Sequence, residues 1–407
     1  MPAALRGLTR DGWLLVLTRC TRLFAYGSLS VILVLYLAEL GFTTSQIGVL
    51  LTLTLVGDTA VSLFLTTRAD RFGRRRMLIV GALLMAAAGI AFAYTRDMVW
   101  LIVAATVGVI SPSGGEVGPF LSIEQAALTH VVPAQARTET LAWYTLAGAV
   151  ATAAGSLFGG SLAQMSGSYR GVVFLYALLG LVAAGLFTQL SPAVEVGPVA
   201  ASSADGLRPG SRRLILKLSS LFALDAFAGG FVVQSFAAYW FHLRFGADPA
   251  ALGGIFFGAN LLAGISALLA ARLAVRWGLI RTMVFTHLPS NVLLILVPLM
   301  PTYTLAIVVL LIRFSISQMD VPTRQSYTMA VVRPEERSAA AGIAGVARTT
   351  GASIAPLFAG VLFGQLSLAS VPFFLAGTLK IVYDLLLYRG FVGLKPPEER
   401  APQRETP

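Results

Sequence analysis

Charged residues are scarce in this sequence. Asp, Glu, Lys and Arg make up only 12% of the 407 residues, whereas 56% are hydrophobic and the mean hydropathy is +0.78. Soluble domains carry about 25% charged residues. This composition excludes a soluble globular enzyme and indicates a chain that lies mostly in lipid.

Cysteine and histidine are rare too. Cys20 is the single cysteine and there are three histidines. This count excludes an internal disulfide framework and a cysteine-rich metal centre. The sequence also lacks a Gly-rich phosphate loop followed by Lys and Ser or Thr, so direct use of ATP is not expected. We therefore expect no metal, no cofactor and no catalytic residues, and an ion gradient, here a proton gradient, as the energy source.

Twelve apolar runs follow one another along the chain. At about 20 or more residues per membrane crossing, twelve spans use almost the whole sequence. The fold class predicted is therefore an all-α membrane protein with twelve transmembrane helices. We number the runs as spans 1 to 12: residues 13–38, 45–67, 76–95, 98–132, 138–164, 171–190, 213–241, 249–272, 280–300, 303–332, 338–366 and 370–389.

The one long linker divides these spans into two halves. We predict an N-terminal six-helix bundle at 1–190, a cytoplasmic linker at 191–212, a C-terminal bundle at 213–390 and a disordered cytoplasmic tail at 391–407. With the N-terminus inside, the cytoplasmic loops hold 21 Lys and Arg and the outer loops hold three. The positive-inside rule then predicts a multi-pass protein of the plasma (inner) membrane with both termini in the cytoplasm. Basic residues confined to such loops do not form a nucleic-acid footprint, so the net charge of +11 does not indicate a nucleic-acid partner.

The two halves are copies of each other. At an offset of 205 residues Gly48 matches Gly253 and Gly73 matches Gly278, and later, at an offset of 200, Gly160 matches Gly360. Such parallel repeats are typical of transporters built as two pseudo-symmetric bundles. The five-residue difference between the offsets places extra sequence in the first half, between about 106 and 124.

The loop between spans 2 and 3 reads Asp70-Arg71-Phe72-Gly73-Arg74-Arg75 and resembles the loop motif of the major facilitator superfamily (MFS). A degenerate copy, Arg276-Trp277-Gly278, lies between spans 8 and 9. The resemblance implies the MFS fold and a cytoplasmic gate in which Asp70 pairs with Arg74 across helix ends. Thr66 departs from the motif, because a glycine normally stands there. The alternative is a loop that is merely positive inside. The gate residues implied are Asp70, Arg71, Gly73, Arg74 and Arg75.

The resemblance also implies that spans 1, 4, 7 and 10 line a central cavity, and most of the buried charge falls on these spans. Ionisable groups in a bilayer core are costly unless they are paired or face water. Spacings of three and four residues keep the polar side chains of spans 1 and 10 each on one face. The predicted substrate-binding residues are Arg19, Arg22, Tyr26, Asp225, Arg313, Asp320, Arg324 and Tyr327.

Three carboxylates are candidates for proton coupling: Asp58, Glu116 and Glu124. The repeat places Glu124 and Arg324 at matched positions, so they could pair and hold the inner side closed. The alternative for Arg324 is a pair with Asp320 in its own helix. For Asp58 the alternative is a structural pair with Arg348.

Span 4 is interrupted by the run Ser111 to Pro119, which contains two prolines and three glycines and also holds Glu116. Irregular backbone at membrane depth is tolerated where it lines a cavity or is buried in protein. We expect this break to shape a substrate or proton site. The alternative is a displaced outer end of span 4, with Glu116 reaching extracellular water.

Span 12 carries Lys380 and Asp384, which at i and i+4 are expected to pair with each other. His287 in span 9 is expected to be a hydrogen-bonded packing residue and not a metal ligand.

The function predicted is secondary active transport by alternating access, as a proton-coupled efflux antiporter of amphipathic small molecules. An importer or exchanger of organic anions is the alternative, and a non-transporting receptor or scaffold is the rival of another class. The expected partners are a small-molecule substrate and the lipid bilayer, and we expect a monomer.

Overall fold

The computed structural model describes residues 8–133, 136–195 and 208–394. Within these ranges the regular structure is helical and contains no strand. Fifteen α-helices are numbered here in chain order: α1 Arg10–Glu39, α2 Thr44–Phe72, α3 Arg74–Tyr94, α4 Met98–Val107, α5 Phe120–Val131, α6 Arg137–Ser166, α7 Arg170–Phe187, α8 Pro209–Gly230, α9 Gln234–Phe245, α10 Pro249–Trp277, α11 Leu279–Leu296, α12 Tyr303–Phe314, α13 Asp320–Ala330, α14 Arg337–Phe363 and α15 Val371–Phe391.

The predicted spans correspond to these helices. Spans 4, 7 and 10 each consist of two helices, namely α4 with α5, α8 with α9, and α12 with α13, and every other span contains one α-helix. Ten helical segments of the described chain are long and apolar enough to cross a membrane, counting α8 with α9 as one, and α4 and α12 are shorter apolar helices. The fold is therefore that of an all-α membrane protein, as predicted.

Local sequence sets the helix bounds. The Thr43 hydroxyl accepts a hydrogen bond from the Gln46 backbone while the Gln46 side chain accepts one from the Thr43 backbone, a capping box that starts α2. Gly73 has φ +99° between α2 and α3, and Gly278 has φ +82° between α10 and α11. Glycine is favoured there because other residues rarely adopt positive φ. The two glycines were matched by the repeat, so both halves make this turn alike.

The described residues group into two compact units. The first contains α1 to α7 with residues 231–264 and 353–372, and the second contains α8 with residues 265–352 and 373–394. The two units do not have the bounds of the predicted bundles, so a division into bundles at 1–190 and 213–390 stays a prediction. Of the predicted linker and tail, residues 196–207 and 395–407 lie outside the described ranges.

In the first unit α1 is the central helix and packs on α6, α7 and α9. Glycines let helix backbones come close together. A Cβ built on Gly155 of α6 would lie 2.0 Å from the carbonyl oxygen of Phe24 in α1. Real Cβ atoms do not approach an oxygen so closely, so this crossing requires glycine.

The second unit has its own apolar core. Leu218 and Phe222 of α8 pack there with Met283 of α11 and with Tyr383 and Leu387 of α15, and each of these side chains is at most 1% exposed. This core fixes the faces that α8, α11 and α15 turn toward one another. The polar residues on those faces are consequently brought into contact with one another.

Candidate functional site

The first unit contains a buried cluster of two arginines and two glutamates. Arg22 of α1 donates from Nη1 to Glu116 at 2.8 Å and from Nη2 to Glu124 at 2.6 Å. The Nη1 atom of Arg19, one helical turn away, lies 2.8 Å from the other oxygen of Glu116. Arg22 and Glu124 are 0% exposed. Four residues predicted from the sequence are thus brought together, as two cations balanced by two carboxylates.

Two further hydroxyl groups complete the surroundings of Glu124. Thr18 donates to its Oε1 at 2.8 Å, and the hydroxyl of Tyr144 in α6 donates to its Oε2. Sequence reasoning missed both residues. Thr18 lies four residues before Arg22 on the same helix face, a spacing that could have identified it. Tyr144 carries no such signal, because its place beside α5 depends on how α6 packs.

Aromatic rings cover the two arginines. The guanidinium carbon of Arg22 lies 4.0 Å from the ring centre of Phe120, and that of Arg19 lies 4.3 Å from the ring of Tyr144. A guanidinium group stacks favourably on an aromatic face. The predicted substrate residue Tyr26 is 0% exposed, and within the described ranges its hydroxyl has no hydrogen-bond partner. The cluster therefore combines charge with apolar ring surface.

The predicted break of span 4 is present as the non-helical stretch 108–119 between α4 and α5. Its backbone groups find partners elsewhere in the first unit. The carbonyl of Pro112 accepts from the backbone of Ser235 at 3.1 Å and from its hydroxyl at 2.6 Å, and the hydroxyl of Ser111 donates to Gly115 O at 2.8 Å. Irregular backbone buried in protein is tolerated at membrane depth when it is satisfied in this way.

Asp58 of α2 also binds this break. Its Oδ1 accepts from the backbone N–H of Gly118 at 2.5 Å, and no basic side chain of the described residues lies within ion-pair distance of it. The sequence analysis did not anticipate this backbone contact. Asp58 therefore connects α2 to the segment that carries Glu116.

A second set of amide and hydroxyl side chains lies in the same unit and was also missed. Gln234 of α9 donates to Ser30 of α1 at 2.8 Å, and Asn260 of α10 donates to Gln234 at 3.1 Å and to Ser156 of α6 at 3.2 Å. Uncharged polar residues in apolar helices give no distinctive spacing, so only the packing reveals that these four meet.

The second unit contains the other charged network. Arg324 donates from Nη1 to Asp320 at 2.8 Å and lies 3.2 Å from Asp225, and Nζ of Lys380 lies 2.5 Å from Asp225. Arg324 therefore forms the helical pair given as its alternative. Glu124 has Arg22 as its partner in the first unit, and a pairing of Glu124 with Arg324 stays a prediction.

The predicted pair of Lys380 with Asp384 was wrong. Lys380 binds Asp225 of α8, while Asp384 accepts from His287 at 2.9 Å and from Asn291 at 2.9 Å. The reason is that the packing of α8 and α11 against α15 brings other polar partners to both side chains. His287 is hydrogen-bonded and 4% exposed, as predicted.

Two predicted substrate residues of span 10 lie outside this network. Tyr327 is 0% exposed and donates its hydroxyl to Leu394 O at 3.0 Å, a position typical of a packing residue. Arg313 at the end of α12 is half-buried, and among the described residues it has no ion-pair partner. Ser317 lies four residues further on, and its buried hydroxyl has no partner in the described chain.

The gate motif is bound to the segment that follows α7. The Glu195 carboxylate accepts from the backbone of Arg74 at 2.6 Å and of Arg75 at 3.1 Å, which caps the N-terminus of α3. Arg75 also donates to Thr188 O at 2.5 Å. The guanidinium of Arg71 lies 5.6 Å from the ring of Phe72. The side chain of Asp70 lies outside the described residues, so its pairing with Arg74 stays a prediction.

The titratable side chains do not form a metal site in the described ranges, where no group of three or more His, Cys, Asp or Glu has a suitable arrangement. The site is instead one of ion pairs inside apolar helices. Charge inside apolar helices is costly unless it is paired, so such groups are candidates for a functional site. Both clusters are therefore suited to binding charged or polar groups.

Comparison with known proteins agrees with this architecture. A family model described as Major Facilitator Superfamily matches residues 15–319 and 226–407. An uncharacterized membrane protein of Saccharomyces cerevisiae is 29% identical over 426 aligned positions, which cover 95% of each chain.

Solved transporters share the fold at low sequence identity. A bacterial homolog of the human lysosomal transporter Spinster superposes with a TM-score of 0.74 at 15% identity, over 94% of this chain and 97% of that one. The nucleoside transporter NupG gives 0.73 at 12%, over 94% and 99%. A D-xylose-proton symporter gives 0.68 at 14%, over 93% and 97%.

Proposed function

The chain belongs to the Major Facilitator Superfamily, whose members are membrane transporters and not enzymes, and from this premise we propose that it is a proton-coupled efflux antiporter of amphipathic small molecules. The observation that carries the proposal is the position of Glu124, fully buried between Arg22, Tyr144 and Thr18. Transport proceeds by alternating access around this cluster.

Competition between a proton and the substrate for the same glutamate carboxylate accounts for antiport. Glu116 is bound by Arg19 and Arg22, and its side chain keeps 11% of its surface exposed. Such a carboxylate binds either a proton or a hydrogen-bond donor of the substrate, but not both. A proton that arrives from outside therefore displaces the substrate to the outside, and the proton is released inside after the transporter has changed the side to which the site is open.

The surroundings of the arginines account for an amphipathic substrate. The rings of Phe120 and Tyr144 offer apolar surface beside the charged groups, and Tyr26 adds a buried hydroxyl without a partner in the described chain. A ligand with one polar end and one apolar end can satisfy both kinds of contact.

The proposal includes the membrane in which the protein acts and its oligomeric state. It acts as a monomer in the plasma (inner) membrane with both termini in the cytoplasm, so that the basic loops lie inside. The proton gradient supplies the energy. The proton-binding residues are Glu116, Glu124 and Asp58, and the residues that orient the substrate are Arg19, Arg22, Tyr26, Asp225, Arg313, Asp320 and Arg324.

Purified protein in liposomes tests the proposal. A fluorescent pH reporter is enclosed, and cationic, neutral and anionic amphipathic compounds are added outside in turn. Antiport predicts that entry of one class drives protons out, so the internal pH rises. A fall in internal pH would indicate symport, and no change with any class would contradict proton coupling.

The variant Glu124→Gln tests whether Glu124 carries the coupled proton. This variant is expected to abolish the proton signal while substrate exchange and folding remain. The matched control is Glu139→Gln, because Glu139 is exposed in the first turn of α6. If Glu124→Gln moves protons as the wild type does, the proposed role of Glu124 is wrong.

A second candidate function is the import or exchange of organic anions. It is favoured by Arg313, a half-buried cation with no ion-pair partner in the described chain, and by Ser317, four residues further along the chain, whose buried hydroxyl has no partner among the described residues. Arg313→Gln is expected to abolish transport of anionic compounds and spare cationic ones. Equal effects on both classes would exclude this candidate.

A further inference from the structure

The polar network of the second unit includes a histidine that the proposed function does not use. His287 lies in α11, and its Nδ1 is 2.9 Å from Asp384 of α15. Its Nε2 faces Asp225 of α8 at 3.7 Å. One imidazole ring is thus held between two buried carboxylates from two different helices.

The Nε2 atom of this ring faces the carboxylate of Asp225, and the Nδ1 atom faces that of Asp384 and also lies 3.1 Å from the amide nitrogen of Asn291. A neutral imidazole has a single N–H, so it can donate to Asp384 or turn an N–H toward Asp225, but not both. A protonated imidazole has an N–H on each nitrogen and satisfies both carboxylates. Histidine is also the side chain that changes charge most readily near neutral pH.

The ion pairs closest to the ring hold more carboxylates than cations. Among the described residues, three carboxylates and two permanent cations, Arg324 and Lys380, lie within ion-pair distance in this network. Arg348 of α14 and Arg313 of α12 act on it from longer range. Tyr383 packs edge-on against the imidazole at 5.9 Å, and Asn291 donates to Asp384. These are the charged and titratable groups that face His287. The three carboxylates are Asp225, Asp320 and Asp384.

We propose that His287 is a proton-binding site, held between Asp225 and Asp384, that operates in addition to the glutamates of the first unit. The proton taken from water adds to the ring nitrogen that faces Asp225. The imidazolium then shares Asp225 with Lys380 and Arg324.

Proton binding at His287 has a mechanical consequence. Lys380 contacts the same oxygen of Asp225 that faces His287, so a cationic ring competes with Lys380 for it. Arg324 of α13 binds the other oxygen. Protonation of His287 in α11 therefore weakens the ion pairs that connect Asp225 of α8 to Arg324 of α13 and to Lys380 of α15.

Nuclear magnetic resonance of the full-length protein with labelled histidine tests the site directly. The chain has only three histidines, His130, His242 and His287, and loss of a signal in His287→Gln assigns the third. We expect the His287 ring signal to change with pH from the neutral to the imidazolium form. A ring signal that shows a single form at every pH at which the protein stays folded overturns the proposal.

Two variants that retain His287 give opposite shifts. Asp384→Asn removes a negative charge beside the ring, and Lys380→Met removes the competing cation, so the two variants are expected to shift the pH response of His287 in opposite directions. Glu139→Gln, at an exposed position of α6, is the control and should leave that response unchanged.

Shifts of the same sign in Asp384→Asn and Lys380→Met, or no shift in either, would overturn the proposed geometry. Misfolding of His287→Gln would not obscure the result, because the other two variants keep the ring. The measurement needs no substrate, so its failure leaves the liposome test of Glu124 unaffected.

Discussion

At the scale of single residues, Arg22 and Glu124 show how two opposite charges are buried as a pair. Arg22 and Glu124 are both 0% exposed and 2.6 Å apart, so each compensates the other's loss of water. The sequence identified these two residues as candidates because a charge in an apolar span needs a reason. It did not identify them as partners, since residues about 100 positions apart meet only through packing.

Removing both members of this pair should cost less than the two single removals added together. Arg22→Ala leaves Glu124 buried without its cation, and we expect the free energy of unfolding to fall by about 3 to 5 kcal/mol. The double variant Arg22→Ala/Glu124→Ala should lose less than the two single losses combined. A denaturant titration of the purified protein in detergent measures these differences, and strictly additive losses would contradict the pairing.

At the scale of helices, two glycine contacts in the first unit follow the internal repeat. Gly160 of α6 meets Gly253 of α10, and Gly48 of α2 meets Gly360 of α14. The repeat matches Gly48 to Gly253 and Gly160 to Gly360. The same close crossing is therefore made twice, by equivalent positions of the two halves.

A methyl group at such a contact should be destabilising. A Cβ on Gly160 would lie 2.2 Å from the carbonyl oxygen of Pro249 and 2.8 Å from Gly253 Cα, so Gly160→Ala forces two backbones apart. We expect a loss of about 1 to 3 kcal/mol, measured as a lower unfolding midpoint.

The control is Gly254→Ala, next to Gly253 in α10. Nothing lies within 4 Å of a Cβ built there, and alanine is the better helix former. This variant should be neutral or slightly stabilising. Equal effects of the two substitutions would show that the crossing does not require glycine.

A carboxylate outside the membrane-spanning helices fixes the start of α8. Glu336 accepts from the Arg208 backbone at 2.8 Å and from the Ser211 hydroxyl at 2.8 Å. The Arg208 hydrogen bond, followed by that of Ser211, lowers the pKa of Glu336 below its ordinary 4.5. Because the pKa is depressed on folding, this contribution to stability is present above pH 4.5 and is lost as pH falls through the lowered value.

Glu336→Gln should therefore lower the thermal midpoint at pH 7, and the difference from the wild type should shrink as the pH falls below 4.5. Glu335→Gln is the control, because Glu335 is exposed at the neighbouring position. Thermal unfolding followed at several pH values measures both. A difference that stays constant with pH would contradict the cap.

At the scale of the whole molecule, the distribution of basic residues predicts how the chain crosses the membrane. The loops of one side hold 21 Lys and Arg and those of the other hold three. Each predicted span is present as helix, so alternate loops fall on opposite sides. The orientation itself stays a prediction of the positive-inside rule.

Single cysteines introduced into a Cys20→Ser variant test the orientation of the chain in the membrane. Arg96 and Arg333 are exposed loop residues that the rule assigns to opposite sides. A membrane-impermeant maleimide added to intact cells should label Arg96→Cys, whereas Arg333→Cys should react only after permeabilisation. The reverse pattern would place both termini outside.

The sequence by itself determined the membrane class, the twelve spans, the break in span 4 and the repeated glycines, because hydropathy and local backbone preference act within short windows. The tertiary structure alone decided which charges pair. Lys380 binds Asp225 and leaves Asp384 to His287, and Glu124 takes Arg22 with Tyr144. In an apolar interior a buried charge binds the best-placed partner that packing brings near it, and apart from the i and i+4 pair of Asp320 with Arg324 the separation along the chain did not predict that choice.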